Sequence, residues 1–99
     1  MENNTIIVTI PEELRNRVQR ADIERSARRD IIIYLMQHPE VEISEERRLA
    51  YQKEYDDKFF EFEQMKSLIE KEYVQPTANN KAINWSLDYD SCKIIIQLG

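Results

Sequence analysis

The chain has 99 residues, 41% of them apolar and 33% charged, with a net charge of −5. This is the composition of one folded domain, not of a disordered chain. Its acidic balance disfavours phosphate backbones, which are bound by exchanging counterions for Lys and Arg. The lone cysteine, Cys92, excludes an internal disulfide, and with His38 as the single histidine no zinc set can be assembled. Gly99 is the one glycine, so a phosphate-cradling glycine loop is excluded as well.

Residues 5–10 open the fold. Ile6, Val8 and Ile10 alternate with Thr5, Ile7 and Thr9, the period of a short strand rich in β-branched residues. Pro11 fits the first helical position, and Glu12 and Glu13 suit the positive end of the helix dipole. No glycine or proline follows until Pro39, which predicts one helix over 11–38 with Leu14, Val18, Ala21, Ile32, Leu35 and Met36 on its inner face. Arg25 and Arg28 interrupt that face, so a break near Ser26 is the alternative to a continuous helix.

Ser44 can cap a second helix, with Glu45 and Glu46 in its first turn. Tyr51, Tyr55, Phe59, Phe62, Met65, Ile69 and Tyr73 recur at spacings of three or four, and the resulting aromatic seam resembles that of a coiled coil. Pro76 is expected to end this helix, giving 44–74. Two long helices across a short link predict an antiparallel hairpin. The last segment alternates twice, Ile83, Trp85, Leu87 and Tyr89 and then Cys92, Ile94, Ile96 and Leu98, around a turn at Asp90-Ser91. That predicts a β-hairpin over 82–98 with Trp85 and Leu87 toward the helices. An isolated hairpin is marginal in water, so the first strand is expected to join it. The expected fold is α+β in a single domain, residues 1–99, in the order β-α-α-β-β.

Candidate chemistry is sparse. His38 falls at a helix end, where a solvated or dipole-paired histidine is far commoner than a catalytic base. Cys92 reads as a small core residue. Neighbouring carboxylates such as Asp56 and Asp57 do not face each other on a helix, which argues against paired acid–base work. The chain is expected to be neither an enzyme nor a metal or cofactor binder. No signal-like segment and no apolar run of about 20 residues is present, so a membrane location is not expected.

Three features could bind a partner. The arginine series Arg15, Arg17, Arg20, Arg25, Arg28 and Arg29 could meet an acidic surface or nucleic acid, against the commoner solvated, salt-bridged face. The aromatic seam could dock a helix, against the commoner packing inside the hairpin. The strand carrying Ile94, Ile95 and Ile96 could offer a sticky sheet edge to another chain. Acids such as Asp57 and Glu61 could face a basic groove, although nearby lysines partly neutralise them.

Two resemblances are carried by particular residues. The opening "TIIVTIPEELRNRV" looks like the start of a ribbon-helix-helix repressor, which would dimerise through 5–10 and point Thr5, Ile7 and Thr9 at bases. A central isoleucine would read little there, since base edges are distinguished mainly by hydrogen bonds. The segments "SARRDIIIYLM", "AYQKEYDDKFFEFEQMKSLIEKEYVQP" and "NWSLDYDSCKIII" resemble short accessory proteins of phages and prophages of gut-type bacteria. The shared pattern is an Arg-Lys-Asp start to an aliphatic run, a Tyr-rich helix ending Tyr-Val-x-Pro, and a closing Trp-x-Leu-Asp-Phe/Tyr hairpin. Here Arg29 stands where lysine is usual and Tyr89 where phenylalanine is common.

That resemblance implies a non-enzymatic, protein-binding accessory or capsid-associated component, in the host-cell cytoplasm or the virion, with a virion or host protein as partner or as a homo-oligomer. The alternatives are a ribbon-helix-helix DNA-binding regulator and a small acidic inhibitor of a host nucleic-acid enzyme.

Overall fold

A computed structural model describes residues 4–99. The chain is α+β, in the expected order: β1 (Thr5–Thr9), α1 (Glu12–Gln37), α2 (Glu45–Ile69), a wide turn (Glu70–Val74) leading into α3 (Gln75–Ala78), then β2 (Ala82–Asp88) and β3 (Lys93–Leu98). The two long helices form a hairpin, and the three strands form an antiparallel sheet at the end of the hairpin away from its connecting turn.

Helix α1 runs without a break through Ser26. Pro11 lies just before it in an extended conformation, and its carbonyl accepts the Arg15 N–H at 3.1 Å, so it precedes the helix instead of occupying its first turn. Ser44 caps α2 as expected, its hydroxyl accepting the Arg47 N–H at 3.1 Å.

Pro76 does not end the second helix. Over Glu70–Val74 the turn widens to a π-helix, in which the Gln75 N–H reaches the Glu70 carbonyl, and Pro76 then sits in the first turn of α3, where its missing N–H costs little. Packing shows why the wide turn is kept. Ile69 and Val74 are both fully buried, yet residues five apart on a regular helix diverge by about 140°. The wider turn returns them to one face. The helix stops two residues later than the proline, where Asn79 and Asn80 take up left-handed conformations (φ 52° and 61°).

The strand order is β1-β3-β2. The expected sticky edge is therefore a correction: β3 is the middle strand, paired on both sides, with Ile96 between Ile6 and Trp85 and Ile94 between Val8 and Leu87. Ile94 and Ile96 are fully buried, and Ile95 lies on the opposite face beside Ile7. A register shift between Ala82 and Asn84 leaves Ile83 unpaired and 68% exposed, so Ala82 points inward where Ile83 was expected to. Trp85 and Leu87 do pack toward the helices. Cys92 is not a strand residue but closes the turn with φ 58°, its carbonyl accepting the Ile10 N–H at 2.8 Å. Asp88 holds that turn by accepting from the Asp90 N–H and the Ser91 hydroxyl.

Among the described residues, the buried side chains all belong to one end of the molecule: Ile10, Leu14, Val18, Ile69, Val74, Ala78, Ile94 and Ile96. Beyond Val18 in α1 and before Ile69 in α2 no residue of either helix is fully buried. The chain is correspondingly long, 56 × 29 × 23 Å, with a radius of gyration of 17.5 Å, whereas a compact chain of this length has about 13 Å.

Stability should follow this polarity. Ile69→Ala should cost about 2–5 kcal/mol, the range for emptying a closed core site. Met36→Ala, at the open end, should stay within about 0.5 kcal/mol. Urea unfolding of the two variants checks the contrast.

Candidate functional site at the open end of the helical hairpin

Halfway along the hairpin a polar zone ties the elements together. The Tyr89 hydroxyl donates to Asp22 at 3.0 Å, the Arg25 guanidinium pairs with the same carboxylate, and Arg15 donates to the Tyr89 carbonyl. Arg25 also lies over the Phe62 ring, 4.6 Å from its centroid, which joins α1 to α2. Beside it Lys58 of α2 bridges to Glu24 of α1 at 3.1 Å and to Glu61 at 3.4 Å.

The titration of these groups follows from their surroundings. Burial is the largest influence on Asp22 and pushes its pKa up, but the hydrogen bonds from Arg25 and Tyr89 and the charge of Arg25 together outweigh it, leaving the carboxyl below its ordinary value. Burial first, then donation to Asp22, drives the Tyr89 hydroxyl above its ordinary range. The hydrogen bond between Lys58 and Glu24 lowers the acid and raises the base.

Past this zone the character changes. Ile32, Leu35 and Tyr51 are half-buried, while Met36 is 77% exposed, Leu49 62% and Tyr34 53%, with Ile31 and Ile33 also exposed. Met36 is thus corrected from the inner face to the outside. The Tyr34 ring lies against His38 with centroids 4.3 Å apart, and His38 faces Glu40 at 2.9 Å. Two apolar clefts flank the helix pair here. One, of about 190 Å³, is lined by Ile32, Leu35, Met36, Arg48, Tyr51 and Gln52. The other, of about 480 Å³, is lined by Asp30, Ile31, Tyr34, Leu35, Val41, Ile43 and Tyr51.

The residues singled out from the sequence do not converge on one site. Ile94 and Ile96 are core, and Ile95 is on the outer sheet face. Arg25 is engaged with Asp22 and Phe62, and Arg28 donates to the Glu24 carbonyl at 3.4 Å. Arg29 pairs loosely with Asp30, Asp57 with Lys53, and Glu61 with Lys58. Of the aromatic seam, Phe62 meets Arg25 of α1 and Phe62, Met65 and Tyr73 pack against the core, whereas Phe59 is exposed and only Ile69 within α2 is fully buried.

What the sequence reading passed over is the open end itself. Its signal was the unbroken run from Ile31 to Met36, which covers every side of a helix and cannot be hidden by one neighbour. Among the described residues no three His, Cys, Asp or Glu side chains are grouped to hold a metal ion, and no helix is long and apolar enough to cross a membrane. Comparison with protein-family models, with curated proteins and with solved structures returned no match.

The Asp22–Tyr89 link carries a pH signature. A carboxyl depressed in the fold contributes stability that is present above its unfolded value, about 3.9, and lost as pH falls through its folded value. A hydroxyl raised in the fold contributes stability that is present below its unfolded value, about 10, and lost as pH rises through the folded one. Asp22→Asn should therefore be less stable than wild type at neutral pH, with the difference narrowing below about pH 4. Tyr89→Phe should cost about 1–2 kcal/mol at neutral pH, narrowing on the alkaline side. Urea midpoints against pH for the three proteins check both signs.

Proposed function

We propose that the chain is a non-enzymatic docking protein whose contact surface is the open end of its helical hairpin. The observation that carries this reading is the exposure of Met36, Leu49 and Tyr34 outside the core, at the end of the hairpin that also carries two apolar clefts. Large apolar groups left exposed mark interaction surfaces, and Arg29, Glu45, Glu46 and Arg48 are exposed at the same end of the hairpin. The His38 ring is held by Tyr34 and Glu40 at the hairpin's end.

The setting implied by the sequence resemblance, a phage accessory or capsid-associated component with a virion or host protein as partner, suits a small docking protein of this kind. The regulator reading gains no support from α1, which runs unbroken where a ribbon-helix-helix protein needs two short helices. The inhibitor reading is weakened by the pairing of Asp57, Glu61 and Glu63 with Lys53, Lys58 and Lys66.

A photo-crosslinking residue placed at position 36 should capture a protein in the producing cell, and the same residue at Ser86, on the outer sheet face, should not. Equal adducts at both positions, or none at 36, would count against the docking surface.

A further inference from the structure

We infer that the chain dimerises through the free edge of β1, two copies of Thr5–Thr9 pairing antiparallel about a two-fold axis at Ile7. The three-stranded sheets of both copies then become one. This surface lies at the opposite end of the hairpin from the open end, so the dimer leaves both open ends uncovered.

The backbone provides the first observation. β1 is an edge strand, paired only with β3. The Leu98 N–H donates to the Asn4 carbonyl and the Ile10 N–H to the Cys92 carbonyl, each at 2.8 Å, and the register between them has no shift. Antiparallel bonding alternates along a strand. Ile6 and Val8 therefore direct their N–H and C=O groups toward β3, and Thr5, Ile7 and Thr9 direct theirs outward. Among the described residues these outward groups have no backbone partner. Charges, prolines and bulges are what blunt such an edge. β1 contains none of them, whereas β2, at the other edge, has the bulge at Ile83 and ends in Asp88.

The side chains decide what pairs there. Thr5-Ile6-Ile7-Val8-Thr9 reads almost the same in both directions. With Ile7 opposite the second copy's Ile7, Thr5 faces Thr9 and Ile6 faces Val8. In this register every outward group of both strands finds a partner, about six hydrogen bonds in all. A slip of two residues in either direction sets Ile7 against a threonine, and a slip of one turns the inner face outward. On the outer face the pair covers Ile7, which is 60% exposed in the single chain, between two Thr–Thr pairs, both favourable cross-strand combinations. On the inner face Ile6 and Val8, which pack against the core, meet Val8 and Ile6 of the second copy. The apolar layer thus continues across the axis.

A foreign strand would gain the same backbone bonds, but nothing in it would be matched to these side chains. The self-match names the occupant, because a two-fold interface must be complementary to itself. The product is a continuous sheet, not an isolated two-stranded ribbon, since β1 keeps β3 on its other side.

The test is sedimentation equilibrium of the full chain from about 1 to 200 µM, a range that spans ordinary dimer affinities. The expected result is reversible association to twice the chain mass of 11.9 kDa. Ile7→Lys and Ile7→Glu each place like charges opposite one another at the axis, and each should weaken association by at least about tenfold. An equimolar mixture of the two variants should recover it, because only at an axis through position 7 do the opposite charges meet. Since Ile7 is exposed, the urea midpoint of each variant should match that of the monomeric wild type, which separates lost pairing from lost folding. Ser86→Lys, on the same outer face but on β2, should leave association intact. A wild-type chain that stays monomeric throughout would overturn the inference. So would a dimer that survives Ile7→Lys, a mixture that recovers nothing, or a dimer abolished by Met36→Glu, which would put the second copy at the open end instead.

Discussion

Ile94 and Ile96 set the arrangement of everything else. They lie on the inner face of the middle strand, flanked by β1 and β2, and are fully buried. Their neighbours in the core are Leu14 and Val18 from the start of α1 and Ile69 and Val74 from the end of α2. A three-stranded sheet of five to seven residues per strand is about 20 Å long, while α1 alone is about 39 Å. The sheet can therefore cover only one end of the hairpin. Both the wide turn that returns Val74 to the face of Ile69 and the left-handed stop at Asn79 serve this end, since together they bring the chain back to start β2 on the core.

The polar zone marks where sheet coverage runs out. Tyr89, the first residue of the β2–β3 turn, is the sheet's farthest reach along α1, and it uses its hydroxyl on Asp22 instead of more apolar packing. Arg25 continues the join to α2 through the face of Phe62. A half-buried charge cluster of this kind adds little net stability, because desolvation offsets most of the attraction. Its effect is geometric: it fixes the rotation of α1 against α2, and so determines which residues of the run Ile31–Met36 fall between the helices and which face outward.

Much of this was legible in the chain. Alternation located all three strands, the 3–4 spacing of aromatics located the inner face of α2, and Ser44 marked its start. What failed depended on information that local pattern does not carry. On a regular helical period Pro76 reads as a terminator, and only the five-residue step from Ile69 to Val74 points to the wider turn. The central place of β3 follows from pairing partners, not from its own alternation. Still, three consecutive isoleucines give apolar side chains on both faces, the mark of an interior strand. Strict alternation turns Ile83 inward, but the bulge between Ala82 and Asn84 reverses it. The helical period puts Met36 on the face of Leu35, but that face is wider than a single neighbouring helix can cover.

The same physics explains why the open end can keep its form without a core. Each long helix satisfies its own backbone hydrogen bonds, so an uncovered segment exposes side chains but no unpaired backbone, unlike an uncovered strand. Propensity alone holds a helix only marginally in water, and most helical stability comes from packing of an apolar face. In this hairpin such packing is strong near Ile69 and weak near Tyr51, where the helices meet across half-buried side chains only. The open end is thus ordered mainly by its connection to the core through Asp22, Arg25 and Phe62, and local opening costs least at the surface that carries the exposed apolar groups. Covering that surface would both remove apolar area from water and supply the packing that α1 and α2 lack there.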